Sequence, residues 1–292
     1  MLQLAFKSFD RAFPAVTERF LARAFSRPRH HSAKRSNGAD PLEAIVSAKR
    51  HPSGCALFAA GNGPTILLVH GWESSHRDLD TVARALLDGG YRVVALDLPA
   101  HGATPGRTAT IPQLSEAIRR VVEYPIGFPV SAVVAHSLGG AAALRAIARL
   151  ERQIPLVLIA SPSRARTYLQ NMIEGFGLPP HRIGPILTRY RDLHDVDLNF
   201  IDAAIDAPLV RAQALLLYGM RDRLVPPSEG QRYEGFLANA DLHHLSQLGH
   251  RGILRAPQAQ QAILKFLGRH VPPARNALPM GIGSAELVQP GE

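Results

Sequence analysis

Residues 133–140 read Val133-Val134-Ala135-His136-Ser137-Leu138-Gly139-Gly140, and the Ala-rich stretch Ala141–Ala148 follows. The apolar run predicts a buried strand, and the stretch after Ser137 predicts a helix. A connection this short forces strained dihedrals on Ser137 and needs small neighbours, so that helix and strand can approach. The hydroxyl then projects above the sheet at a helix N-terminus, where the first backbone N–H groups have no intrahelical partner. A plainer alternative stays open at this point: a serine that caps an ordinary strand-to-helix turn.

Outward from this stretch, short apolar runs alternate with helical patterns. The runs are 65–69, 91–96, 130–135, 156–160, 214–218 and 242–246. The helical patterns cover 76–88, 112–123, 138–150, 228–239 and 257–267. Unalternating runs of this length suit a sheet covered on both faces. Their alternation with helices predicts a doubly wound, mostly parallel α/β sheet. Residues 42–49 and 55–59 read as a hairpin around His51-Pro52-Ser53-Gly54, which adds antiparallel strands and brings the count to eight. Residues 162–208 interrupt the alternation with helical patches and the pair Pro179-Pro180. They read as a small helical cap over the carboxyl ends of the strands, where open α/β sheets bind ligands. The expected organisation is a basic N-terminal helix and linker over 1–41, an α/β domain over 42–268 and a Pro- and Gly-rich tail over 269–292.

The net charge is +9, and residues 1–50 hold ten cations against four acids, a surplus of six. The basic balance therefore belongs mainly to the N-terminal segment. There Leu4, Phe6, Phe9, Phe13, Val16, Phe20, Leu21 and Phe25 fall near one helical face, with Pro14 as a break or kink. Two readings stand. The favoured one packs the Phe stripe on the body of the protein or on a partner subunit. The other lays a basic amphipathic helix on an anionic membrane, although Asp10 and Glu18 dilute the basic face. No recognition motif supports nucleic-acid binding. No apolar stretch approaches the ~20 residues of a membrane span, and no signal-peptide pattern opens the chain, so a soluble, cytoplasmic protein is expected. The single cysteine, Cys55, excludes an internal disulfide and reads as a small buried residue. No HExxH, Cys/His cluster or glycine-rich dinucleotide fingerprint is present, so neither metal nor cofactor is expected.

The 133–140 stretch resembles the GxSxG elbow of the α/β-hydrolase superfamily, with Ala135 in place of the first glycine. The resemblance spans roughly residues 42–268, and further turns carry it in order. His70-Gly71-Trp72 is similar to the family's oxyanion turn, which implies that the backbone N–H groups of Trp72 and Leu138 form an oxyanion hole. Leu96-Asp97-Leu98-Pro99-Ala100-His101-Gly102 looks like a structural loop of the family, with Asp97 outside the chemistry and His101 at the pocket edge. Gly219-Met220-Arg221-Asp222-Arg223-Leu224-Val225-Pro226 resembles the acid turn and implies Asp222 as the acid. Leu248-Gly249-His250-Arg251 resembles the histidine loop and implies His250 as the base. The order Ser137, Asp222, His250 is that of the family. The cap acids Asp192, Asp195, Asp197, Asp202 and Asp206 lack a preceding strand. His136 is expected to pack beside the site and His70 to be structural.

The resemblance implies a serine hydrolase that attacks a small or medium carboxylic ester through an acyl-enzyme. Thioesterase or acyltransferase activity on the same residues is the alternative within enzymes, and a hydrolase fold kept as a binding module is the alternative outside them.

Overall fold

The computed structural model describes residues 2–29, 40–46, 51–125 and 129–273. In chain order the elements are α1 (Leu2–Ala12), α2 (Pro14–Ala24), β1 (Glu43–Val46), β2 (Ala56–Ala60), β3 (Thr65–Val69), α3 (Asp80–Asp88), β4 (Arg92–Asp97), α4 (Ile111–Glu123), β5 (Val130–His136), α5 (Leu138–Ile147) and β6 (Leu156–Ile159). Then follow α6 (Ala165–Gly175), α7 (Ile183–His194), α8 (Ala203–Asp206), β7 (Ala214–Gly219), α9 (Ser228–Glu234), β8 (Ala240–Leu245), α10 (Gly252–Arg255) and α11 (Pro257–His270).

The eight strands form one sheet in the order β1-β2-β4-β3-β5-β6-β7-β8. β1, β2 and β4 pair antiparallel, and every pair from β4 to β8 is parallel. Successive side chains of a strand point to opposite faces, so the apolar runs divide into two cores. Leu67, Val69, Val133 and Ala135 pack with α4 and α5. Ile66, Leu68, Ala132 and Val134 pack with α3 and α11 on the other face. Each of the Leu, Ile and Val side chains among them, fully removed from water, contributes about 2 kcal/mol, and each alanine methyl less than about 1 kcal/mol. β8 closes the sheet as an edge strand, and its half-exposed His243 and exposed His244 suit that place.

β3 lies between β4 and β5. The chain leaves β3 through α3 towards β4 and leaves β5 through α5 towards β6, so the direction of winding reverses between β3 and β5. Such a reversal opens a crevice at the carboxyl ends of the strands. His70-Gly71-Trp72 and Ser137 are the residues that leave those two strands there.

The expected strands appear within one or two residues of their sequence bounds. The hairpin differs: its first strand is Glu43–Val46, and residues 47–50 lie outside the described residues. The expected 228–239 helix stops at Glu234, and the 138–150 helix at Ile147. The final helix runs to His270, two residues into the expected tail, whose residues 274–292 lie outside the description. Residues 162–208 carry α6, α7 and α8 and no strand of the sheet, only a bridge between Arg164 and Asp202. The N-terminal helical stretch breaks at Pro14, one of the two outcomes the sequence left open, into two helices. Pro14 lacks an N–H and Phe13 leaves helical geometry with φ −133° and ψ 61°, so the run divides there. Among the described residues no helix is long and apolar enough to cross a membrane.

The Asp97 loop is structural, as its residues suggested. The buried carboxylate accepts the Ala103 N–H at 2.7 Å, the His76 N–H at 2.8 Å and the His76 Nδ1–H at 2.9 Å. His76 Nε2 also meets Asp40 at 3.1 Å, and Phe58 stacks on the imidazole at 3.6 Å. Burial alone lowers the His76 pKa, but the hydrogen bond and charge of Asp97, then those of Asp40, outweigh it and raise the value above 6.5. A raised folded-state value stabilises fully below the unfolded pKa and loses that contribution as pH rises through the folded one. Stability should therefore fall with rising pH above 6.5 in urea titrations, and His76→Gln should flatten this dependence. A His76 NMR midpoint at or below 6.5 would contradict it.

Candidate active site

Ser137 occupies the single position between β5 and α5, with φ 54° and ψ −133°. A non-glycine residue held there stores about 1–3 kcal/mol of backbone strain. The glycines around it explain why the turn can exist. A Cβ on Gly139 would stand 2.0 Å from the His70 carbonyl oxygen, and one on Gly71 would stand 2.9 Å from the Ser137 Cβ. Ala135, at the first small position, is fully buried in β5 between Val69 and Leu158. The backbone atom facing Gly139 cannot rotate away. Gly139→Ala should thus cost about 2–4 kcal/mol in chemical denaturation; unchanged stability would show that the elbow is looser than its contacts indicate.

The structure brings Ser137, His250 and Asp222 together from three distant turns. His250 Nε2 lies 2.9 Å from Ser137 Oγ, and His250 Nδ1 lies 2.7 Å from Asp222 Oδ2. The other oxygen of Asp222, Oδ1, accepts the N–H groups of Leu224 and Val225, each at 2.9 Å. With Oδ2 as acceptor, Nδ1 carries the imidazole proton and leaves Nε2 free to accept from the serine hydroxyl. The Asp222 side chain is fully buried and that of His250 is 17% exposed, so the pair is shielded while the histidine reaches the cleft.

Trp72 follows β3, and Leu138 opens α5. Neither backbone N–H donates to another group among the described residues. The turn carrying Trp72 is pinned by His70, which is fully buried. Its Nε2 accepts the Leu98 N–H at 3.0 Å, so its proton sits on Nδ1, which donates to the Gly71 carbonyl at 2.7 Å. Burial lowers the His70 pKa and keeps this neutral form. Trp72 rests between Phe25 and His101, at ring separations of 6.3 and 5.2 Å. His101 is accordingly buried beneath the tryptophan, not at the pocket edge as its sequence position suggested.

Two further residues support the site: His136, which packs beside it as its sequence position implies, and Ser161, to which the sequence gives no role. His136 Nε2 donates to the His250 carbonyl at 3.0 Å, and the two rings lie 4.8 Å apart. Burial, then the neighbouring His250, pushes the His136 pKa down to about 3, so this histidine holds the loop as a neutral donor. Ser161 Oγ donates to the Ser137 carbonyl at 2.7 Å, and Tyr218 holds the Ser161 carbonyl at 2.6 Å. The only local hint was a run of small residues after β6.

A cleft of ≈ 250 Å³ opens above Ser137, lined by Trp72, Glu73, Tyr168, Met172, Leu224 and Arg251 among others. Tyr168 and Met172 belong to α6, so the inserted helices form part of its wall. Three acids of the insertion are engaged elsewhere. Asp202 binds Arg232, Asp206 binds Arg145 and Arg149, and Asp197 caps the turn at Asn199. Cys55 is buried just before β2, and burial pushes its thiol up to about 12. Among the described residues no three His, Cys, Asp or Glu side chains gather as a metal site.

A doubly wound sheet, a serine elbow at its reversal point and a histidine loop after its last strand define an enzyme of the α/β-hydrolase class. The chain belongs to the alpha/beta hydrolase family, whose model matches residues 66–262. A 2-hydroxy-6-oxononadienedioate/2-hydroxy-6-oxononatrienedioate hydrolase of Burkholderia vietnamiensis is 26% identical over 260 residues, covering 73% of this chain and 86% of that one. Two relatives are each 34% identical over 106 residues. The acetyltransferase component of an acetoin cleaving system from Cupriavidus necator is matched over 27% of its length, and the pimeloyl-[acyl-carrier protein] methyl ester esterase of Nitrosomonas europaea over 40%. They cover 35% and 36% of this chain, respectively. Among solved structures, a Pyrococcus furiosus esterase superposes with a TM-score of 0.63 at 18% identity, covering 84% of this chain and 98% of the esterase. At that identity the likeness speaks for the fold.

Proposed function

We propose that this hydrolase cleaves a carboxylic ester through an acyl-enzyme on Ser137. The observation that carries the proposal is the continuous hydrogen-bond chain from Ser137 Oγ through His250 to Asp222. His250 Nε2 takes the hydroxyl proton as Oγ attacks the ester carbonyl carbon. The electron pair displaced from the C=O bond becomes an oxyanion, which accepts from the free N–H groups of Trp72 and Leu138. Each such donor is worth about 3 kcal/mol at a developing oxyanion. Collapse of the tetrahedral species breaks the bond to the alcohol oxygen, which leaves with the proton from imidazolium. Water, deprotonated by His250, then attacks the acyl-enzyme; the acid departs and the serine regains its proton. Asp222 stabilises the imidazolium throughout and keeps the ring oriented.

The size of the cleft favours a small or medium acyl group, and one relative is named a methyl ester esterase. A fluorophosphonate probe should label Ser137 in folded protein, and p-nitrophenyl esters of graded chain length should be cleaved with a preference for short chains. A folded protein that neither labels nor turns over any ester would favour a binding module. Preferential cleavage of acyl-CoA, or transfer to an alcohol acceptor, would replace the ester by a thioesterase or acyltransferase reading.

A further inference from the structure

α1 and α2 resolve the mixed charge of the N-terminal segment by facing. Their two acids, Asp10 and Glu18, turn towards the inserted helices, where Arg182 binds both: Nη2 lies 2.8 Å from Asp10 and Nη1 2.9 Å from Glu18. Arg182 itself is only 12% exposed. Thr17, Leu21 and Ala22 of α2 are buried, α2 packs on α7, and Phe25 closes the contact against Tyr168 and Tyr190.

The outward side has a different composition. Phe9, Phe13, Val16 and Phe20 stand 45%, 55%, 54% and 60% exposed. Their spacing of four, three and four residues is that of one helical stripe. The Phe13 N–H still bonds the Phe9 carbonyl at 2.8 Å across the break before Pro14, and the Phe9 and Phe13 rings lie 5.3 Å apart. The charged residues exposed on this pair of helices and the turn after them are Lys7, Arg11, Arg19, Arg23 and Arg27, with no acid among them. Lys7, Arg11 and His181 also line a groove between α1 and the turn ahead of α7.

We propose that the face of α1 and α2 carrying Phe9, Phe13, Val16 and Phe20, on a helix pair whose exposed charges are all cationic, docks on an anionic phospholipid surface. The apolar side chains line a helix instead of a concave groove, as in helices that lie within the membrane interface. The cations match the negative potential of anionic headgroups. A second copy of this chain would set the Arg19 and Arg23 cations beside the stripe against like charges. The proposal is independent of the hydrolytic reading.

The test is co-sedimentation of the full chain with vesicles of phosphatidylcholine alone or mixed with phosphatidylglycerol, in about 0.1 M salt. The protein should pellet with the mixed vesicles and remain in solution with the zwitterionic ones. Replacing Phe9, Phe13, Val16 and Phe20 together by Ser should weaken binding at least ~10-fold, and so should Lys7→Glu, Arg11→Glu, Arg19→Glu and Arg23→Glu combined. Thermal unfolding identifies folded variants, and the charge set keeps the test valid should the serine set fail to fold. A folded full chain that ignores anionic vesicles overturns the proposal. So does equal binding to zwitterionic vesicles, or full binding by either folded variant. A dimer abolished by the serine set, without vesicle binding, assigns the face to a second copy instead.

Discussion

Ser137→Ala should lower kcat/KM for a short-chain p-nitrophenyl ester by about 10⁴-fold or more, or roughly 5 kcal/mol of transition-state stabilisation, while leaving the unfolding transition in place. On the proposed mechanism Ser137 Oγ is the atom that forms the acyl-enzyme; the Trp72 and Leu138 N–H groups and the cleft survive its loss and support only residual catalysis. Stability should hold because the serine side chain contributes little to the elbow. Its backbone carbonyl, bound by Ser161, and the close fit of Gly71 and Gly139 remain with alanine. Alanine at φ 54° carries the same strain as serine, so none is released. Ordinary turnover by folded Ser137→Ala would remove the mechanism, and measuring both rate and unfolding separates that outcome from misfolding.

Asp222→Asn should reduce kcat by about 10⁴-fold through the wrong imidazole tautomer. Asp222 Oδ1 is committed to two backbone donors, Leu224 and Val225. An asparagine must keep its carbonyl oxygen on that side, which turns its NH₂ towards His250 Nδ1. Two donors cannot face each other, so Nδ1 becomes the acceptor and the proton moves to Nε2. Nε2 then donates to Ser137 Oγ and can no longer take its proton. The variant should fold normally, since every backbone contact of the turn persists. Imidazole ¹⁵N shifts would report the tautomer directly. An Asp222→Asn enzyme of near-normal rate would mean that the acid is not needed to set the ring.

The elements that were easy to read share one property. β3 and β5 to β7 are buried on both faces, so their apolar runs are continuous and stand out in any window. The helical pattern over 228–239 runs past the end of α9 because residues 236–239 still suit a helix; the chain turns at Gly235 into a loop leading to β8. Ser137, Asp222 and His250 were legible because each sits in a short turn whose neighbours are constrained by that turn. Gly139 must be small beneath the His70 carbonyl, and the two N–H groups after Asp222 must reach its carboxylate. His136 and Ser161 were not legible as supports. Their roles are single hydrogen bonds to carbonyls, of His250 and of Ser137, which any donor of the right length could make.

The sequence by itself determined the order of strands and helices and the turns that present a serine, an acid and a histidine, because apolar period and turn chemistry act over a few residues. Only the tertiary structure decided what those turns do together, since the Ser137–His250 contact joins residues 113 apart. The same holds for the N-terminal helices. Along the chain, Asp10 and Glu18 dilute a basic stripe; in space Arg182, 172 residues beyond Asp10, draws both acids inward and leaves cations and phenylalanines outside. Helical period places a residue on a face, but the direction of that face is set by the surface that buries most apolar area and pairs the most buried charge, and that surface exists only after folding.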